Sequence, residues 1–178
     1  METKRFEVES SESNIDWTGK KVTGAHNGTI DIKTGELTVQ DGNLSGGNFI
    51  IDTTSIKILD ITDPDTNQQF AGHLFSADFF STENFPEASF VITTTDHLES
   101  DSYLINGDLT IKGITHGVTF GAQVAISGNK ITASGKVVVD RTRYEMKFRS
   151  GNFFTNLGDT LIYNEFELDV QLTAFASL

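Results

Sequence analysis

Apolar and polar residues alternate with a period of two through most of the chain, the signature of strands with one buried and one wet face. The alternation is cleanest near the C-terminus. There Phe166, Leu168, Val170, Leu172 and Ala174 fall on one side, and Glu165, Glu167, Asp169, Gln171 and Thr173 on the other. Tyr103, Ile105, Gly107, Leu109 and Ile111 form a second in-phase set, followed after Lys112-Gly113 by Val118, Phe120, Ala122, Val124 and Ile126. Asn106-Gly107 has the composition of a hairpin turn, but the apolar phase runs through it unbroken. It reads instead as a glycine within a strand, at a bulge or bend. Ser127-Gly128-Asn129-Lys130 is the better turn, leading into Ile131, Ala133, Gly135, Val137 and Val139. Further strands fit residues 5–10, 14–21, 24–33, 36–40, 43–52 and 88–94, and Tyr144, Met146 and Phe148 line one phase of another. Turn signals recur every ~8–12 residues, the spacing of a barrel or sandwich.

One segment departs from the pattern. Asp63 has the chemistry of a helix N-cap, and Pro64 suits the first helical position, where its missing N–H is no loss. Phe70, Ala71, Leu74 and Phe75 then share one face at helical spacing. This predicts a short helix over 64–75 that packs on the barrel or covers one end. An irregular, Phe-rich crossing over 77–86 leads back to a strand. No linker, repeat or low-complexity tract interrupts residues 1–178, which read as one domain.

Composition narrows the function. The chain has 14 Phe against one Trp, and 16 Gly against 2 Pro. A net charge of −12 argues against nucleic acid and against anionic membrane surfaces, which both need a basic face. With no cysteine, disulfides, thiol nucleophiles and Cys-type metal sites are excluded. No stretch approaches the ~18 apolar residues of a membrane span. The start, Met1-Glu2-Thr3-Lys4-Arg5, carries no hydrophobic signal region, so a complete chain of this sequence would be cytoplasmic.

Catalytic and metal motifs are weak. His26, His73, His97 and His116 are widely spaced and fall in no ligand pattern. Asp60, Asp63, Asp65 and Asn67 resemble a calcium loop, but counted from Asp63 the sixth position is Gln68 and the twelfth Leu74, so capping explains them better. Asn27-Gly28-Thr29 and Asn43-Leu44-Ser45 match the glycosylation pattern and read as plain turn residues. No G-x-S-x-G elbow or paired acid and base stands out. What remains is aromatic clustering: Phe70, Phe75, Phe79, Phe80, Phe85 and Phe90 lie close together in the chain. Such a cluster fits either a filled core or an elongated apolar pocket, and periodicity does not separate the two.

The segment Gly72-His73-Leu74-Phe75-Ser76-Ala77-Asp78-Phe79-Phe80, with Asn84-Phe85-Pro86-Glu87-Ala88-Ser89-Phe90 after it, resembles the signature of the YceI family. Residues 107–115, Gly-Asp-Leu-Thr-Ile-Lys-Gly-Ile-Thr, resemble its G-x-L-T-i-x-G-v-T strand and turn. Asp140-Arg141-Thr142-Arg143-Tyr144 resembles its late R-x-x-F/Y motif. The motifs occur in family order, and the resemblance runs from about Phe6 to Leu172. Tyr144-Glu145 stands where the family usually has F-G.

The resemblance implies an all-β, extended lipocalin-like antiparallel barrel of about eight strands with one short helix over an end. It implies a non-enzymatic protein that binds, carries or stores an isoprenoid lipid, such as an isoprenoid quinone or polyprenyl carrier, with no metal and no cofactor. Members are often periplasmic and often homodimeric. Carried over by position, His73, Leu74, Phe75, Phe79, Phe80 and Phe85 fall near the pocket mouth. Trp17, Leu109, Ile111, Tyr144 and Met146 are wall candidates. Arg141 meets a polar head group or pairs with Asp140 or Glu145. Two other readings stand beside this one: a filled-core interaction module acting as a dimer, and an enzyme acting on a lipid head group, which requires Arg141, His73 and a carboxylate to converge on one cavity.

Overall fold

The computed structural model describes residues 3–21, 24–76, 79–146 and 162–177. The strands are β1 (Thr3–Val8), β2 (Asn14–Lys21), β3 (Gly24–Gln40), β4 (Asn43–Ile58), β5 (Glu87–Glu99), β6 (Ser102–Ile111), β7 (Ile114–Ser127), β8 (Lys130–Asp140) and β9 (Ile162–Ala176), and the helix α1 (Pro64–Phe75) joins β4 to β5. All pairings are antiparallel. Around the ring the order is β3-β2-β9-β8-β7-β6-β5-β4, closed by β4 on β3. β1 and β2 both lie between β3 and β9, end to end across a 3-10 turn at Ser10–Glu12. Nine strands therefore make eight staves, the expected closed barrel.

Two tight turns show the local chemistry. Asp41-Gly42 and Lys112-Gly113 both hold positive φ at their two residues (51° and 85°, 55° and 73°), as two-residue hairpin loops of type I′ demand. Gly107 lies inside β6, whose register with β7 is unbroken, so the turn reading of Asn106-Gly107 is rightly rejected. A side chain there would meet the Phe90 ring at 2.3 Å, so the glycine makes room for an inward aromatic from the next strand.

Several sequence expectations need correction. The first strand ends at Val8 rather than Ser10. Residues 24–33 and 36–40 belong to one strand, β3, and β4 and β5 run well beyond 52 and 94. The reason is bulging. On β3 the inward residues are Ile30 and Ile32 before the register shift near Lys33, and Leu37 and Val39 after it. One extra residue swaps the faces, so a continuous bent strand looks like two strands in sequence. Asn27 lies within β3, opposite Thr18, and not in a turn. The strand expected through Tyr144 and Met146 is a 3-10 turn at Arg141–Tyr144 instead. Asp140 caps it by accepting from the Thr142 N–H, and Glu145 ends it at φ 62°. Phe148 lies outside the described residues.

The helix forms where expected. Asp63 accepts from the Thr66 N–H, and Leu74 is buried, with Phe70, Ala71 and Phe75 half-buried beside it. Asp60 and Asn67 also have structural partners. Asp60 accepts from the Asn27 N–H, and the Asn67 amide donates to the Ile58 and Ile61 carbonyls, tying α1 to the end of β4.

Candidate ligand-binding cavity

The inward residues pack solidly at the barrel end that holds the Asp41-Gly42 and Gly128 turns, and loosely elsewhere. At that end Phe6, Ile131 and Ala174 are fully inaccessible, and Tyr103, Leu44 and Val39 are nearly so. Above them lie two adjacent spaces. An inner chamber of about 110 Å³ is walled by Phe49, Phe90, Ile105, Phe120, Val137 and Leu172, among others. An outer chamber of about 590 Å³ opens toward α1, within the range of small-molecule pockets. Ile15, Ile51, Leu109 and Leu168 line both and form the neck between them.

The polar groups of the outer chamber are largely tied off. The Trp17 indole donates to the Thr29 carbonyl at 3.2 Å, and the Thr53 hydroxyl to the Phe85 carbonyl at 2.8 Å. Satisfied donors of this kind leave an apolar wall. At the rim His26 Nδ1 lies 2.7 Å from Asp60, and its ring packs 4.9 Å from Phe70 of α1. Burial pushes the Asp60 carboxyl up, but the His26 and Asn27 hydrogen bonds and the His26 charge outweigh it and hold the carboxyl below its usual range.

Arg141 is the buried charge of the site. It is 3% exposed, donates from Nη1 to the Met146 carbonyl, and sits 5.7 Å from the centre of the Phe79 ring. Burial pushes its pKa down to about 10, offset in part by Asp140, so it stays charged at neutral pH. The Asp140 carboxylate itself is engaged by Thr142.

Of the residues singled out in the sequence, Trp17, His73, Leu74, Phe79, Phe80, Leu109, Ile111, Arg141 and Met146 come together on the outer chamber wall. Three do not line it. Phe75 is half-buried against the core. Phe85 is at the surface and lies over Gly113. Tyr144 turns its ring to His116, 5.2 Å away, and its buried hydroxyl has no hydrogen-bond partner among the described residues. Sequence reasoning missed the β2–β4 wall, including Ile30, Thr53 and Ile56, and the His26–Asp60 rim. Inward parity on β4 carried a signal for Ile56, but the bulges hid it. Arg141 and His73 border this chamber, and Glu165 stands exposed at its edge on the outward phase of β9.

The model of the YceI-like domain matches residues 6–174. The chain belongs to the YceI family. A YceI relative from Photorhabdus laumondii, UPF0312 protein plu2095, is 30% identical over 139 residues, covering 74% of this chain and 65% of its own length. Protein YceI of Escherichia coli O157:H7 is 32% identical over 134 residues with the same coverage. The match thus spans about 65% of the length of these curated relatives. Among solved structures, Burkholderia cenocepacia BcnA superposes with a TM-score of 0.74 at 20% identity, covering 93% of this chain and 98% of that one. A polyisoprenoid binding domain from Saccharophagus degradans gives a TM-score of 0.67 at 13% identity, covering 97% and 98%. At these identities the structural likeness speaks for the YceI barrel fold.

Proposed function

We propose that this protein binds and carries a long isoprenoid lipid, its tail in the two-chamber interior and its polar end among the rim groups near Arg141. One observation carries the reading: among the described residues the barrel interior keeps two largely apolar spaces that meet at the shared residues Ile15, Ile51, Leu109 and Leu168. The Saccharophagus neighbour, described as a polyisoprenoid binding domain, supports the same ligand class. Covering several hundred Å² of prenyl chain at about 25 cal/mol per Å² gives roughly 10 kcal/mol gross. Part of that is lost to ordering and association, which leaves room for micromolar affinity or better without any charged contact.

The chain's single tryptophan supplies the test, because Trp17 lies on the chamber wall. Titration with a prenyl quinone quenches Trp17 fluorescence saturably, while the tail-free quinone head does not. Equal quenching by both, or none by either, contradicts the reading.

Arg141 and His73 bordering one chamber, with Glu165 at its edge, favour a second reading, chemistry on a lipid head group. Its check is chemical: a prenyl diphosphate recovered unchanged after prolonged incubation removes it, and a hydrolysed one supports it.

A further inference from the structure

Among the described residues, the barrel wall is not laddered all round. β7 and β8 pair only from Ala122↔Gly135 to Ser127↔Lys130, although β7 reaches back to Ile114 and β8 on to Asp140. Beyond that fork, among the described residues, 114–121 of β7 ladder only with β6, and 136–140 of β8 only with β9. A second bridge closes the slit near the mouth. There His116 Nε2 donates to the Arg143 carbonyl at 2.9 Å, and Arg143 Nη2 donates to His116 Nδ1 at 3.0 Å.

Burial follows the slit. The inward residues of β6 are buried along its whole length, whereas Ile114, His116, Val118 and Phe120 of β7 are only half-buried. Full burial returns at Ala122 and Val124, where pairing with β8 resumes. The inner chamber reaches this place, with Val118, Phe120, Gly135 and Val137 on its wall. On the outside a groove of about 440 Å³ runs past Gly121 and Gln123, and the two spaces share Ala122, Ser134, Gly135 and Val170. The wall between them is made of small residues. A side chain at Gly135 would meet the Phe120 ring at 3.4 Å, so that ring lies across the gap.

On the carrier reading above, we propose that the β7–β8 slit is a side opening for the ligand tail, with Phe120 as its shutter. A prenyl chain longer than the interior emerges at the fork and lies in the outer groove. The two facing strand edges share no ladder hydrogen bond among the described residues, which makes the passage deformable. The closed end packed around Phe6 and Ile131 then sets no upper limit on tail length.

The experiment is a ladder of prenyl quinones of increasing tail length, followed by Trp17 quenching in the parent chain and in Gly121→Leu. Gly121 faces the groove with nothing within 4 Å of an added Cβ and no left-handed φ, so a side chain there is tolerated. The parent chain should bind long tails at least as tightly as short ones. Gly121→Leu should bind short tails like the parent and long tails about tenfold more weakly. A sharp length cut-off in the parent, or equal treatment of long and short tails by Gly121→Leu, overturns the side opening. If short tails also fail to quench the parent, the carrier reading falls first and the opening with it. A long ligand with a photoreactive tail tip gives a second, independent readout. Labelling within 119–123 or 134–136 supports the opening, and labelling confined to the packed end around Leu44 and Ile131 contradicts it.

Discussion

The two ends of the barrel are built from the same alternating strands, yet one is solid and the other hollow. At the closed end, Phe6, Val39, Tyr103, Ile131 and Ala174 pack side chains of unlike size together, and Leu37 and Leu44 floor the inner chamber above them. The Tyr103 hydroxyl is anchored there by long hydrogen bonds from the Leu44 N–H and to Asn43. At the α1 end the inward residues are large as well, among them Ile30, Phe79, Phe80 and Phe166, yet they stand apart and about 590 Å³ stays open. The difference teaches that parity decides which side chains face inward, while volume decides whether they meet. Empty apolar space is costly unless something fills it. Such a chamber, kept beside a well-packed end, is what the proposed ligand site requires.

The comparison can be broken most severely at the closed end. Phe6→Ala should destabilise the fold by about 3–5 kcal/mol, through lost burial and a cavity. For a chain of this size that is a fall in Tm of roughly 10 °C, readable by thermal melts. Ligand affinity at the far chamber should change little. A large loss of affinity at temperatures where Phe6→Ala remains folded would show that the two ends are not independent.

Leu109→Trp attacks the neck. Filling the passage shared by both chambers should weaken long-tailed ligands about tenfold or more, while overpacking costs about 1–3 kcal/mol of stability. Isothermal titration with long and short tails separates these effects. Equal binding of long tails to variant and parent would remove the neck from the account.

Much of this was legible in sequence and some was not, for physical reasons. Period two placed Phe166 to Ala174, Tyr103 to Ile111 and Ile131 to Val139 on their inward faces, and the Asp63-Pro64 pair located α1. The pattern failed at Lys33 and along β4, because a bulge inverts the faces without breaking the strand. It failed again at Tyr144, where Asp140 capping competes with extension: the Tyr, Met and Phe spacing fits a strand, but the chain turns. The cavity was out of reach for another reason. Periodicity carries direction but not volume, so a filled and a hollow barrel share one pattern. The partial β7–β8 pairing is likewise a matter of register, which alternation alone does not encode.

Tyr144→Phe is a smaller and opposite perturbation. Removing a buried hydroxyl that has no partner among the described residues should leave stability unchanged or raise it by about 1 kcal/mol. Tyr144 lines neither chamber, so affinity should hold. A clear loss of affinity in a calorimetric titration would mean that this hydroxyl meets the ligand.

The smallest effect belongs to the rim. The Asp60 carboxyl is held below its ordinary value of 3.8, so its contribution is complete above about pH 4 and is lost as the pH falls through the lower folded value. Asp60→Asn should remove about 0.5 kcal/mol near neutrality and flatten the acid limb of a stability-versus-pH curve. An unchanged acid limb would place the sensitivity in another carboxylate.

The most direct measurement of the central claim is native mass spectrometry of the protein as purified from a bacterial host, followed by solvent extraction and identification of what is bound. The account predicts an added mass near one isoprenoid lipid per chain, lost on extraction and restored by adding that lipid back. A clean apo mass that stays unchanged after challenge with isoprenoid quinones and polyprenyl phosphates would contradict it, and the hollow end of the barrel would then need another explanation.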